Sequence, residues 1–106
     1  MAITKNRIEG FHYYPEASGN VSFLRYSHRH IFHVECGFGV TGANREIEIF
    51  TRQFQIAEYF AHIYGVPAQF GGMSCEMIAQ SLFKAFKECS YVKITEDGEG
   101  GAIVQG

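Results

Sequence analysis

No stretch of this chain approaches the roughly 18 consecutive apolar residues of a membrane-spanning helix. Its opening, MAITKNRIEG, carries no apolar signal-peptide segment, so a cytoplasmic protein is expected. An excess of either charge is also missing. Nine Lys and Arg stand against eleven Asp and Glu, spread along the sequence for a formal net charge of −2. A nucleic-acid partner would need a basic face or stripe, and none is present. Cysteine is scarce: Cys36, Cys75 and Cys89 are odd in number and form no C-x-x-C pair. In a reducing compartment they are expected to be free thiols packed as small buried residues. Internal repeats, linkers and low-complexity runs are absent as well.

What the chain does have is apolar and aromatic substance. Hydrophobic residues make up 46% of its 106 residues, including ten Phe and six Tyr, which is the composition of one folded domain spanning 1–106. Sixteen aromatics exceed what one small core uses, so some are expected at a ligand site or a subunit interface.

ITKNRIEGFHYYP, residues 3–15, reads as a strand ending at Pro15, and EASGN as a turn. A second strand is expected from about Phe23 to Val40. Within it Phe32, Val34, Cys36, Phe38 and Val40 alternate with His33, Glu35, Gly37 and Gly39, giving one apolar and one polar or small face. TGAN, residues 41–44, is a break. From about Glu46 to Tyr64 the period lengthens: Ile49, Phe50, Phe54, Ala57, Phe60, Ala61 and Tyr64 predict an amphipathic helix, stopped by Gly65 and Pro67. Glu46 and Glu48 are expected in solvent near its start. QFGGM is a loop. Ser74 caps a second helix through CEMIAQSLFKAFKEC, with Met77, Ile78, Leu82, Phe83 and Phe86 as its apolar stripe. YVKITED and AIVQ are short strands around a GEGG turn. The order predicts an α+β domain, ββααββ, with a four-stranded antiparallel sheet and two helices on one face.

Three of the five histidines fall in HRHIFHVEC, residues 28–36. His28 and His30, one residue apart on a strand, point to the same side and are close enough to share a cation. Zinc at a catalytic site takes three protein ligands and leaves a fourth position for water or substrate. His12, at the end of the adjacent strand, is the candidate third ligand. On spacing alone, the alternative is a set of exposed strand histidines. His33 projects to the other face and is expected to be structural.

FHYYP, HRHIFHVEC, SCEMIAQSLFKAF and VKITEDGEGGA together resemble, in order, the 6-pyruvoyl-tetrahydropterin synthase and 6-carboxytetrahydropterin synthase family, built on the tunnelling fold (T-fold). The resemblance implies that His12, His28 and His30 are zinc ligands. It implies that Glu96 anchors a pterin ring, since a carboxylate accepts two parallel N–H bonds from a 2-amino-pyrimidinone. Glu76, in the first turn of the second helix, is implied to lie near the same pocket. His62 is the nearest match to the family's proton-carrying histidine.

Three positions depart from the family pattern. Leu24 stands where the family has a reactive Cys. Ala61 replaces the Asp that orients the proton-carrying His. Arg29 replaces the Gly of H-G-H. Two functions follow. One is a zinc-dependent lyase acting on 7,8-dihydroneopterin triphosphate, with His62 moving protons. The other is a non-catalytic binder of a pterin or purine-like compound that has kept the metal triad. The resemblance also implies a homo-oligomer, a trimer or a hexamer, with sites between subunits.

Overall fold

The structure, a computed structural model, describes residues 1–42 and 44–106; Ala43, in the predicted break 41–44, lies outside them. Two long strands form its spine. β1 (Ala2–His12) and β2 (His28–Phe38) pair antiparallel along their whole length, from Ala2 opposite Phe38 to His12 opposite His28. Helix α1 (Ile49–Tyr64), short strand β3 (Ala68–Gly71) and helix α2 (Cys75–Ala85) follow, and then the hairpin of β4 (Cys89–Glu96) and β5 (Gly100–Gln105). The fold is mixed α+β, and the strand order across the sheet is β3-β1-β2-β4-β5.

The expected four antiparallel strands are present as β1, β2, β4 and β5, but the sheet has a fifth. β3 runs parallel to β1, pairing Gly10 with Ala68 and Phe11 with Gln69. It occupies part of the predicted QFGGM loop. Its four residues alternate, with Ala68 and Phe70 buried and Gln69 exposed, but so short a run beside two glycines does not mark a strand in the sequence. The second strand also starts later than expected. Residues 19–25 coil into a 3-10 segment, and the Tyr14 N–H donates to Leu24 O, so the chain turns sharply before His28.

One core lies between the sheet and both helices. β2 contributes Phe32, Val34, Cys36 and Phe38, the predicted apolar row, and β4 adds Val92 and Ile94. α2 supplies Ile78, Ala79 and Leu82, whereas Met77, expected in its stripe, is exposed. Ser74 caps α2 as predicted, its hydroxyl accepting from the Met77 N–H.

α1 departs more. Its buried residues are Ile56 and Phe60, with Tyr59 and Tyr64 packed beside them; Phe50 and Phe54 from the predicted stripe face solvent, along with Ala57 and Ala61. Both stripes have helical period, so periodicity alone could not choose between them. The inner face is fixed by contacts a hydrophobicity pattern does not register. Gln53 Nε2 donates to Lys5 O, and Asn6 Nδ2 to Gln53 O. Glu48 is the N-cap of α1, accepting from the Phe50 and Thr51 N–H groups. No helix among the described residues is long and apolar enough to cross a membrane. The three cysteines are buried free thiols.

Candidate metal centre

The apolar row of β2 does not stop at Phe32. Strand alternation continues it outward through His30 and His28, so both imidazoles emerge on the helix side of the sheet, at the open end of the core. The β1–β2 register puts His12 opposite His28 and Gly10 opposite His30, bringing the third imidazole against the other two. The three ring centroids lie 4.6, 4.9 and 5.3 Å apart, each pair edge to face. One possible ligand atom from each ring lies within 4.8 Å of the others. Shifts of less than about 1 Å let a single ion reach all three at bonds of roughly 2.0–2.1 Å. His12, His28 and His30 could hold a metal ion.

Each ring is oriented through its Nδ1. In His12 this atom lies 3.0 Å from Met73 O, and in His28 2.9 Å from Tyr26 O. In His30 it lies 2.7 Å from Asp97 Oδ2. Carbonyls and carboxylates only accept, so all three Nδ1 atoms donate and the Nε2 lone pairs are left free. An outer hydrogen bond of this kind fixes a ligand's tautomer and direction. The Nε2 of His12 is buried and has no hydrogen-bond partner, an orphaned acceptor that a cation would satisfy. Burial lowers the pKa of His12, against the opposing pull of the Met73 carbonyl, which suits a neutral ligand.

His12 and His28 border a cavity of about 470 Å3. Its wall includes Tyr13 and Tyr14, the start of α2 at Ser74, Cys75 and Glu76, and Glu96. Glu96 continues the core-facing row of β4 from Val92 and Ile94, and sits opposite Phe32 in the register. Its Oε2 is 3.0 Å from His12 Nε2 and its Oε1 3.5 Å from His30 Nε2. Five of the six expected site residues, His12, His28, His30, Glu96 and Glu76, thus meet in one place.

The sixth does not join them. His62 is exposed in the last turn of α1 and is not part of the cavity wall. Phe60 faces the core, and two residues further along a helix is a rotation of about 200°. His62 stands in the last turn of α1, and its surroundings assign it no chemistry. Arg29 points to the opposite face of the sheet, where it pairs with Glu9. Leu24 is half-buried in the 3-10 segment.

Two participants were not anticipated. Cys75, expected to be an inert core thiol, lines the cavity and donates to Glu96 Oε2 at 3.5 Å. Burial and then the Glu96 carboxylate push its thiol up to about 12, so it remains protonated and is a poor nucleophile. Asp97, read as the end of a strand, instead opens the hairpin turn. Asp97 and Gly98 both have positive φ, and the turn closes through Glu99 N–H to Glu96 O. Asp-Gly is a strong hairpin signal and would have placed Asp97 in the turn, which the reading of GEGG alone did not. The Asp97 carboxylate accepts from the Ile31 N–H and from His30, which hold it below the usual carboxylate range.

Asp97→Asn, which keeps a side chain tolerant of positive φ, is expected to weaken metal binding about tenfold. Chelator competition measures this, and an unchanged affinity would remove Asp97 from the site. Compared with known proteins, the chain matches no family model and no curated sequence.

Proposed function

We propose that this chain binds a divalent metal ion, zinc, through His12, His28 and His30, and takes a pterin- or purine-like ring compound in the adjoining cavity. In this reading it is a divergent T-fold protein of the 6-pyruvoyl/6-carboxytetrahydropterin synthase type. The observation that carries it is the convergence of three Nε2 lone pairs, each directed by a hydrogen bond at Nδ1. The ββααββ order, with one short strand added, supports the fold assignment, and free thiols suit a cytoplasmic setting.

When bound, zinc would polarise a hydroxyl or carbonyl of the substrate side chain and acidify the neighbouring C–H. The remaining tasks fall to the chain's own residues. Tyr13 and Tyr14 on the cavity wall offer ring faces to a flat heterocycle. Glu96 and Glu76 are the carboxylates facing it, and the resemblance gives Glu96 the anchoring role. Cys75 is a protonated hydrogen donor within the site. Assembly into a homo-oligomer, a trimer or hexamer by the resemblance, is supported by open sheet edges, since among the described residues β5 has no outer neighbour and β3 covers only the end of β1.

Within this reading the fuller function is conversion of 7,8-dihydroneopterin triphosphate, with loss of triphosphate. A specific observation favours the alternative, a non-catalytic pterin or purine binder: His62 lies outside the cavity and Leu24 has no proton to move. Loss of one member of a catalytic set costs orders of magnitude in rate. The test is zinc content per chain, followed by calorimetric titration of the zinc-loaded protein with neopterin and guanine, and assay of triphosphate release. About one zinc per chain and a dissociation constant on the order of micromolar are expected. A protein that takes up no zinc, or binds neither compound, sinks the proposal. Triphosphate release would select the lyase, and binding without release the binder.

A further inference from the structure

The three imidazoles do not account for Glu96. Its Oε2 stands 3.0 Å from His12 Nε2, a contact that resembles an ion pair by distance. Yet His12 Nε2 has no hydrogen-bond partner, so the approach lacks hydrogen-bond geometry. The ring's proton is at Nδ1, donated to Met73 O. With His12 neutral, Glu96 presents an oxygen lone pair to a nitrogen lone pair at contact distance, and two acceptors so placed repel. The same opposition recurs at His30, whose Nδ1 is committed to Asp97 and whose Nε2 is 3.5 Å from Glu96 Oε1. One group of one charge resolves both contacts: a cation held between them.

We propose that Glu96 is itself a metal ligand, completing a site of three imidazoles and one carboxylate. The spacings are those of neighbours around one ion. Ligand atoms about 2.0–2.1 Å from a tetrahedral ion lie roughly 3.3–3.4 Å from one another, and the Glu96 carboxylate comes that near two rings, through Oε2 to His12 at 3.0 Å and through Oε1 to His30 at 3.5 Å. Neighbouring groups hold the carboxylate in place. Glu96 is the last residue of β4, its carbonyl closes the turn by accepting from Glu99 N–H, and Cys75 donates to Oε2. Asp97 is not a competing ligand, because both its oxygens are occupied by His30 Nδ1 and Ile31 N–H.

The inference rests on the metal reading and revises the role that the resemblance gave to Glu96. With four protein ligands the ion is closed to solvent until a ligand displaces the carboxylate or adds as a fifth donor. Glu76, exposed on the cavity wall, becomes the carboxylate free to meet ring N–H groups.

Zinc affinity by chelator competition and the visible spectrum of the cobalt(II) form are to be compared for wild type, Glu96→Gln, Glu76→Gln and His28→Ala. Glu96→Gln is expected to bind zinc at least about tenfold more weakly, with a changed cobalt spectrum, while Glu76→Gln matches wild type in both. Equal affinity and an identical spectrum in Glu96→Gln would overturn the proposal. Should Glu96→Gln fail to fold, the zinc-minus-apo infrared difference spectrum of wild type and Glu76→Gln decides. A carboxylate-stretch change in both that persists in Asp97→Asn supports ligation by Glu96, and its absence from wild type or its loss in Asp97→Asn refutes it. His28→Ala separates the two readings: undiminished zinc binding there removes the triad itself, whereas loss there with an unaffected Glu96→Gln removes only Glu96.

Discussion

Replacing His12 with Ala is expected to weaken zinc binding more than about a hundredfold while leaving the far-ultraviolet circular dichroism of the chain intact. A fully built structural zinc site contributes roughly 10 kcal/mol or more. One ligand of three or four carries about 3 kcal/mol of that, which is more than two decades in affinity. His12 is the decisive member because it is the only histidine on β1. Its ring meets both of the others, at 4.6 and 5.3 Å, and without it the imidazoles come from β2 alone. Stability gives a second readout. On the proposed zinc site, zinc at about a thousand times its dissociation constant would stabilise the wild type by about 4 kcal/mol, and the variant would forfeit most of this. If chelator competition finds the variant's affinity within a few-fold of wild type, His12 is not a ligand.

The same residue sets the pH dependence. Burial lowers the folded-state pKa of His12 from 6.5. A depressed folded value means the unfolded chain binds the proton more readily. The contribution to stability is therefore complete above pH 6.5 and lost as pH falls through that value toward the folded one. Metal affinity falls in the same direction, because protons compete for the Nε2 atoms. Denaturant unfolding of the metal-free protein across this range should show the decline, and His12→Gln should flatten it. An identical slope in the variant would exclude His12 as its source.

How much of this was legible beforehand differs from element to element. The β2 row was readable because a half-buried strand writes its two faces in strict alternation, and His28 and His30 follow from its parity. His12 was readable because consecutive long strands commonly pair as neighbours. Three features were not legible. β3 owes its place to pairing with β1 and to burial of Phe70, neither expressed in four residues of local pattern. The inner face of α1 is decided partly by polar contacts from Arg52 and Gln53, so Phe50 and Phe54 entered the wrong stripe. Ile56, alone in the sequence among polar and small neighbours, proved to be core. The outer support of the metal site was hidden for a different reason. Two of its three acceptors are the main-chain carbonyls of Tyr26 and Met73, and any residue carries those. Asp97 was the exception, a side chain whose Asp-Gly context marked a turn but not its partner.

Phe32→Ala should have the largest effect on the fold. Phe32 is fully buried at the histidine end of the apolar row, with its ring edge to face against Phe70 at 4.9 Å, His12 at 5.1 Å and His30 at 5.7 Å. Truncating a buried Phe costs about 3–5 kcal/mol through lost transfer energy and the cavity left behind. A domain of this size holds about 5–15 kcal/mol in total, so the metal-free variant is expected to lose a large share of its stability and to unfold at a much lower urea concentration than wild type. Phe54→Ala is the matched control. Phe54 is 66% exposed on the outer face of α1, and its loss should change stability by no more than about 0.5 kcal/mol. Urea unfolding in the presence of a chelator measures both. Equal costs would mean that the inner face of the sheet has been misplaced. Zinc adds a further arm, because Phe32 floors the triad as well as the core. If the two are one structure, zinc should recover part of the lost stability in Phe32→Ala, but with a smaller gain than in wild type, since two imidazoles have lost the ring they pack against. A full wild-type gain would instead show the metal centre to be mechanically independent of the core beneath it.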